Sequence, residues 1–144
     1  MASDTPRRIA LVTGAGSGIG RAVAQGLLQD GFHVVLTGRR PEPLAEVAAA
    51  AQAAGQHALA IPADVRDEHS VQALFDEIEK RFGRIDVLFN NAGVNAPAVP
   101  MDELSVAQWK DVIDTNVTGV FLCARAAFGL MRRQTPQGGR LINN

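Results

Sequence analysis

The chain has 144 residues, 47% of them hydrophobic and 20% charged, with a formal net charge of −1. That length and apolar content suit one domain with a packed core, and the scattered, balanced charge excludes the basic footprint of a nucleic-acid or anionic-membrane partner. A lone cysteine, Cys123, rules out an intrachain disulfide; with no apolar signal-peptide run at Met1–Arg8 and no apolar stretch of membrane-spanning length, the expected location is the cytoplasm.

The apolar run Ile9–Val12 meets glycines at once and reads as a buried strand. A helix follows through Ile19, Val23, Leu27 and Leu28 and stops at Gly31. Val34–Leu36 is a second strand. Pro41 opens an alanine-rich helix that Gly55 closes. Ala58–Ile61 is a third strand, and Ser70–Phe82 an amphipathic helix with Val71, Leu74, Phe75 and Ile78 on one side. Ile85–Phe89 is a fourth strand, nearly all apolar. A loop rich in Pro and Asn leads to Ser105 and Gln108, a capping-box pair. The helix they begin runs past Trp109, Ile113 and Phe121 to about Arg133, with Asp102 and Glu103 as partners for its dipole and Trp109 as a packing residue. Leu141–Ile142 begin a fifth strand. Strands without a polar face are covered on both sides, so strand alternating with helix predicts an α/β fold: a doubly wound parallel sheet with helices on both faces.

The turn after the first strand is Thr13-Gly14-Ala15-Gly16-Ser17-Gly18-Ile19-Gly20. A diphosphate must approach main-chain amides at a helix start, where free N–H groups and the helix dipole favour an anion and a Cβ would hold it off. The strand-turn-helix context is the one such a motif requires. The spacing is Gly-x-x-x-Gly-x-Gly rather than the widespread Gly-x-Gly-x-x-Gly, and it resembles the short-chain dehydrogenase/reductase family. Asn90-Asn91-Ala92-Gly93 after the fourth strand, Asp64-Val65 after the third, and Asn116 in Thr115-Asn116-Val117 match further motifs of that family in order.

The resemblance implies a Rossmann domain over residues 1–144, incomplete at its C-terminal side, binding NADP or NAD. Gly14, Ser17, Gly18, Ile19 and Gly20 would cradle the pyrophosphate, and Asp64 and Val65 would border the adenine. Asn91, Ala92 and Gly93 would border the ribose nearer the nicotinamide, with Asn90 free to tie strands together. Asn116 would distort its helix and hold a water near the catalytic lysine, the one member of the family's catalytic set within the chain.

The residue ending the second strand reads the adenosine ribose, and an acid there selects against a 2′-phosphate. Gly38 stands at that place, followed by Arg39, whose guanidinium makes charge-assisted bonds with phosphate. One such bond contributes about 1.5–3 kcal/mol, a preference for NADP of roughly 10- to 150-fold. His33, His57 and His69 show no ligand-like spacing, so no metal site is expected. Cys123, among Phe121, Leu122 and Ala124, reads as core packing.

The family's reaction is reversible hydride transfer between the nicotinamide and a carbonyl or alcohol carbon. It uses a serine beyond the fifth strand and a Tyr-x-x-x-Lys pair for acid/base work. This chain contains no tyrosine, and Leu141-Ile142-Asn143-Asn144 lies where the family would continue into that serine. We therefore expect a fragment of a longer enzyme, inactive by itself, with an uncovered sheet edge at the fifth strand. The upstream motifs are intact, which weighs against the alternative, a free-standing nucleotide-binding or interaction module. The complete enzyme would be a homo-oligomer, dimer or tetramer, acting on a small molecule.

Overall fold

The computed structural model describes residues 6–144. In chain order they form β1 (Ile9–Thr13), α1 (Gly18–Gln29), β2 (His33–Thr37), α2 (Pro41–Ala53), β3 (Ala58–Ala60), α3 (Glu68–Phe82), β4 (Val87–Asn90), α4 (Val106–Ile113), α5 (Gly119–Arg133) and β5 (Arg140–Asn143). All strand pairings are parallel, in the order β3-β2-β1-β4-β5. Successive strands step outward from β1 to β3, then the chain crosses back to β4 beside β1. That reversal creates the crevice in which open α/β sheets bind ligands.

The sheet is covered on both faces, as its unbroken apolar strands require. One core layer sets Ala10, Val12, Val34 and Leu36 against Ala24 and Leu28 of α1 and Leu44 and Val47 of α2. The other sets Leu11, Val35 and Leu88 against Leu74, Phe75 and Ile78 of α3 and Leu122, Cys123 and Leu130 of α5. Neighbouring residues of one strand thus serve opposite layers. Buried Gln134 pins the bottom of the β4–β5 side: its Oε1 accepts from Ile85 N at 2.8 Å, and its Nε2 donates to Ile85 O at 2.9 Å.

Several expectations are corrected. In α1 the buried residues are Gly20, Ala24 and Leu28, with Val23 and Leu27 half-buried against the same core, while Ile19 is 60% exposed; of the expected apolar set only Ile19 lies off the core. The third helix starts at Glu68 rather than Ser70, because Asp67 caps it by accepting from His69 N at 2.9 Å. The fourth strand's ladder starts at Val87, although Ile85 is buried before it.

Ser105 and Gln108 do form the capping box, with reciprocal bonds of 3.1 and 2.9 Å. Asp102 and Glu103, however, lie in a separate 3-10 turn, Met101–Glu103, outside the first turn of α4. Trp109 is 56% exposed rather than packed: α4 buries none of its residues, and covering the core falls to α5. Between those helices Asp114–Thr118 forms a widened π-helical turn. All four β5 residues are exposed, the uncovered edge that was expected. No helix among the described residues is long and apolar enough to cross a membrane.

Candidate nucleotide site

A cleft of about 470 Å³ opens at the crevice, lined by the β1–α1 turn and the segments that follow β2, β3 and β4. Gly14, Gly16 and Ser17 form its floor. Gly14 has φ of +63°, and a Cβ there would lie 3.0 Å from Asn91 Nδ2. A Cβ on Gly20 would sit 2.2 Å from the Gly14 carbonyl oxygen. These two positions let α1 begin directly against the turn.

The start of α1 differs from those of α3 and α4. Asp67 and Ser105 cap the latter two with side-chain oxygens, but Ser17 makes no capping hydrogen bond and the first turn of α1 holds no acid. The orphan N–H groups of a helix start, with the dipole behind them, favour an anion. Gly18, Ile19 and Gly20, all expected in the cradle, are outside the lining; Gly20 is buried beneath it and Ile19 faces solvent. Gly16 is in the lining, and a Cβ there would meet Pro43 at 2.9 Å. Though not singled out, it was inside the same glycine run.

Arg39 and Arg40 both line the cleft beyond Gly38. The segment is held by two bonds to the β3 side: Thr37 Oγ1 donates to Ile61 O at 2.6 Å, and Ala63 N donates to Gly38 O at 3.0 Å. Asp64 and Val65 are on the adjoining wall. The Asp64 carboxylate is already engaged by Arg66, whose Nε lies 3.0 Å from one oxygen and whose Nη2 lies 2.8 Å from the other. Arg66 Nη1 reaches Asp111 of α4 at 2.6 Å. The guanidinium of Arg66 holds the Asp64 carboxyl below the usual carboxylate range, and its two acidic partners raise Arg66 in turn. Val65 packs where a Cβ on Gly119 would come within 2.7 Å, so this wall of the cleft rests directly on α5.

The two asparagines after β4 both act as ties. Asn90 Nδ2 donates to Asn143 Oδ1 at 3.0 Å, across to β5. The Asn91 side chain is turned beneath the glycine run, its Nδ2 donating to the carbonyls of Thr13 and Gly14 at 3.3 and 3.4 Å. Main-chain N–H groups of Asn91 and Ala92 both donate to Thr13 Oγ1 at 2.9 Å. The cleft lining therefore has Ala92, Gly93 and Val94 but not Asn91.

Asn116 lies in the π-helical turn, so the local helix distortion expected of it is present. Its side chain grips the main chain of Val94, with Oδ1 accepting from N and Nδ2 donating to O, both at 2.9 Å. It is a buttress of the loop rather than part of the lining. Its neighbour Thr115 is in the lining and buried, and its Oγ1 is the one buried side-chain polar atom without a partner among the described residues. Nothing in its spacing marked Thr115, Val94 or Leu44 as lining residues, whereas Arg40 adjoined a residue already chosen. Cys123 is buried on α5 with its thiol pushed up to about 12, which suits packing and not nucleophilic chemistry.

Comparison with known proteins bears directly on this arrangement. A family model described as short chain dehydrogenase matches residues 8–144. The chain is 42% identical over 136 residues to a 3beta-hydroxysteroid dehydrogenase of Mediterraneibacter gnavus, covering 94% of this chain and 48% of that protein. It is 44% identical over 137 residues to a cis-4-hydroxycyclohexanecarboxylate dehydrogenase of Sinomonas cyclohexanicum, covering 95% and 53%. Among solved structures, a metagenomic short-chain oxidoreductase in complex with NADP superposes with a TM-score of 0.89 at 35% identity, covering 94% of this chain and 61% of that one. The chain spans about half the length of the curated relatives it matches. With the motifs, the strand order and a family match over nearly every residue in agreement, the chain belongs to the short-chain dehydrogenase family.

Proposed function

We propose that these 144 residues form one NAD(P)-binding unit, the cofactor-binding portion of an oxidoreductase that exchanges hydride between NADP(H) and a small carbonyl or alcohol substrate. The observation that carries this reading is the uncapped start of α1, opening through Gly14 and Gly16 onto a cleft whose neighbouring wall presents Arg39 and Arg40. A diphosphate fits free helix amides, and a 2′-phosphate fits guanidinium groups where no acid repels it. The NADP complex of the metagenomic relative supports the same cofactor class, with NAD the second choice.

Bound NADP(H) would supply or accept the hydride, and the chain's own residues bind and orient. Gly14, Ser17 and the first amides of α1, including Gly18, Ile19 and Gly20, hold the diphosphate. Asp64 and Val65 border the adenine, and Ala92 and Gly93 border the nicotinamide ribose. Asn91 works from behind by fixing the glycine turn, and Asn116 by fixing Val94 and the loop that carries Gly93. No tyrosine is present to exchange the substrate's proton, so the 144 residues alone bind nucleotide without turnover. We place the protein in the cytoplasm as a homo-oligomer, with the exposed Phe121 and Phe128 of α5 as the natural contact face.

The test is calorimetric titration with NADPH and NADH before and after Arg39→Ala. The parent chain is expected to favour NADPH by roughly 10- to 150-fold, and the substitution to erode most of that ratio. Equal ratios before and after would overturn the NADP assignment.

A further inference from the structure

The phosphate-reading arginine has a competitor on the same wall. Arg39 and Asp64 follow Gly38 and Ala63, which are joined by a main-chain hydrogen bond of 3.0 Å, and both residues line the cleft. Left to itself, the Asp64 carboxylate would do two harmful things to a 2′-phosphate beside it. It would repel the phosphate directly, and it would draw the Arg39 guanidinium into an ion pair of its own.

In the structure Arg66 engages that carboxylate instead. Its main-chain N–H and Nε each meet Asp64 Oδ1 at 3.0 Å, while Nε and Nη2 meet Oδ2 at 3.2 and 2.8 Å. Four donor contacts occupy both carboxylate oxygens in the fork geometry that favours arginine over lysine. The remaining nitrogen, Nη1, meets Asp111 of α4 at 2.6 Å, a second anchor for Arg66 beside Asp64. No ion pair is found for Arg39 among the described residues.

We propose that Arg66 is a specificity-determining residue for the 2′-phosphate: by saturating Asp64 it cancels a misplaced negative charge and leaves Arg39 free for the nucleotide. It touches neither phosphate nor the reacting atoms; it acts through Asp64. The inference rests on the NADP(H) reading above and adds to it a reason why an acid is tolerated next to a phosphate site.

The experiment measures Kd for NADPH and NADH on the 144-residue chain and on three variants, with the ratio of the two as the readout, because a merely structural loss weakens both nucleotides together. Arg66→Met should lower the preference for NADPH about three- to tenfold, the size expected for one uncompensated charge at a partly exposed site. Arg66→Lys retains the charge and should keep the ratio within about twofold of the parent. Arg66→Met combined with Asp64→Asn should restore the ratio lost by Arg66→Met, because no carboxylate then competes for Arg39. An unchanged ratio in Arg66→Met, or no recovery in the double variant, overturns the proposal while leaving NADP(H) binding intact. Binding of neither nucleotide by the parent overturns the nucleotide reading and this inference with it. If Arg66→Met does not fold, the lysine variant decides alone: a ratio lowered more than about threefold with the positive charge still present refutes charge cancellation, and a ratio that holds supports it.

Discussion

β1 buries all five of its residues and β2 all but its first, with α1 and α2 on one face and α3 and α5 on the other. β5, paired in the same sheet, exposes all four of its residues, and the neighbouring face of α5 exposes Phe121 and Phe128. The nucleotide cleft belongs mostly to the first region: most of its lining comes from the turns that follow β1 to β4, joined by the start of α2 and by Thr115. The two regions differ in what their stability rests on, layered apolar packing in one and, in the other, ladder hydrogen bonds with a few side-chain ties such as Asn90 to Asn143. A binding site for a large nucleotide needs main-chain groups held to a fraction of an ångström, and only the closed region supplies such support.

The sharpest way to break this contrast is a matched pair of truncations. Leu11 has no exposed surface and lies between the second core layer's strands and α3 and α5. Leu11→Ala should cost about 2–5 kcal/mol in urea unfolding, from lost transfer energy and an unfilled cavity. Ile142 is 46% exposed in β5, and Ile142→Ala should cost no more than about 0.5 kcal/mol. Comparable losses at both sites would mean that the edge is better supported than its exposure suggests.

Gly20→Ala probes the closed region at its tightest point. A Cβ would stand 2.2 Å from the Gly14 carbonyl oxygen and 2.6 Å from Asn91 Nδ2, so either α1 or the glycine turn must move. A loss of about 1–3 kcal/mol is expected, the range for overpacking a well-packed site. NADPH affinity should fall with it, since the displaced parts are the helix start and the turn. Retained affinity in a destabilised protein would show that the cradle tolerates movement and that the turn is not its critical support.

Much of this is legible in the sequence alone. Local patterns carried the fold: apolar strands without a polar face required two covering layers, and the glycine run could only be accommodated between a strand and a helix. Ser105 and Gln108 announced their capping box because both partners lie within one turn. The start of α3 is missed for a local reason, the Asp67 cap, whereas the misses at Ile19, Trp109 and Asn91 depend on partners distant in sequence. Ile19 and Trp109 are apolar residues on helices, yet which stripe is buried is decided by where the helix lands on the sheet. The family's Asn-Asn-Ala-Gly pattern puts Asn91 on the nucleotide side, whereas its side-chain bonds run to Thr13 and Gly14 more than 75 residues away. Arg66 sits two positions from Asp64, but its second partner, Asp111, is 45 positions downstream and meets it only in the fold.

The smallest expected effect tests the outer flank of the closed region. His33, at the start of β2, stacks on His57 with ring centroids 4.2 Å apart, a contact between residues that the sequence left in separate elements. Partial burial lowers the His33 pKa first, with the charges of His57 and Arg7 adding to it. An unfolded histidine titrates at about 6.5, so between that value and the lower folded one the unfolded chain binds more protons. The contribution to stability is therefore complete above about pH 6.5 and is lost as pH falls through the folded pKa. Thermal unfolding of the parent should show a small drop in Tm between about pH 7.5 and 5, a window above the range in which Asp64, itself lowered, would protonate. His33→Gln removes the titrating ring and should flatten part of that slope. A variant whose Tm falls as steeply as the parent's would show that the pair contributes nothing to the pH response and that the acid sensitivity arises elsewhere, with the open edge the next place to look.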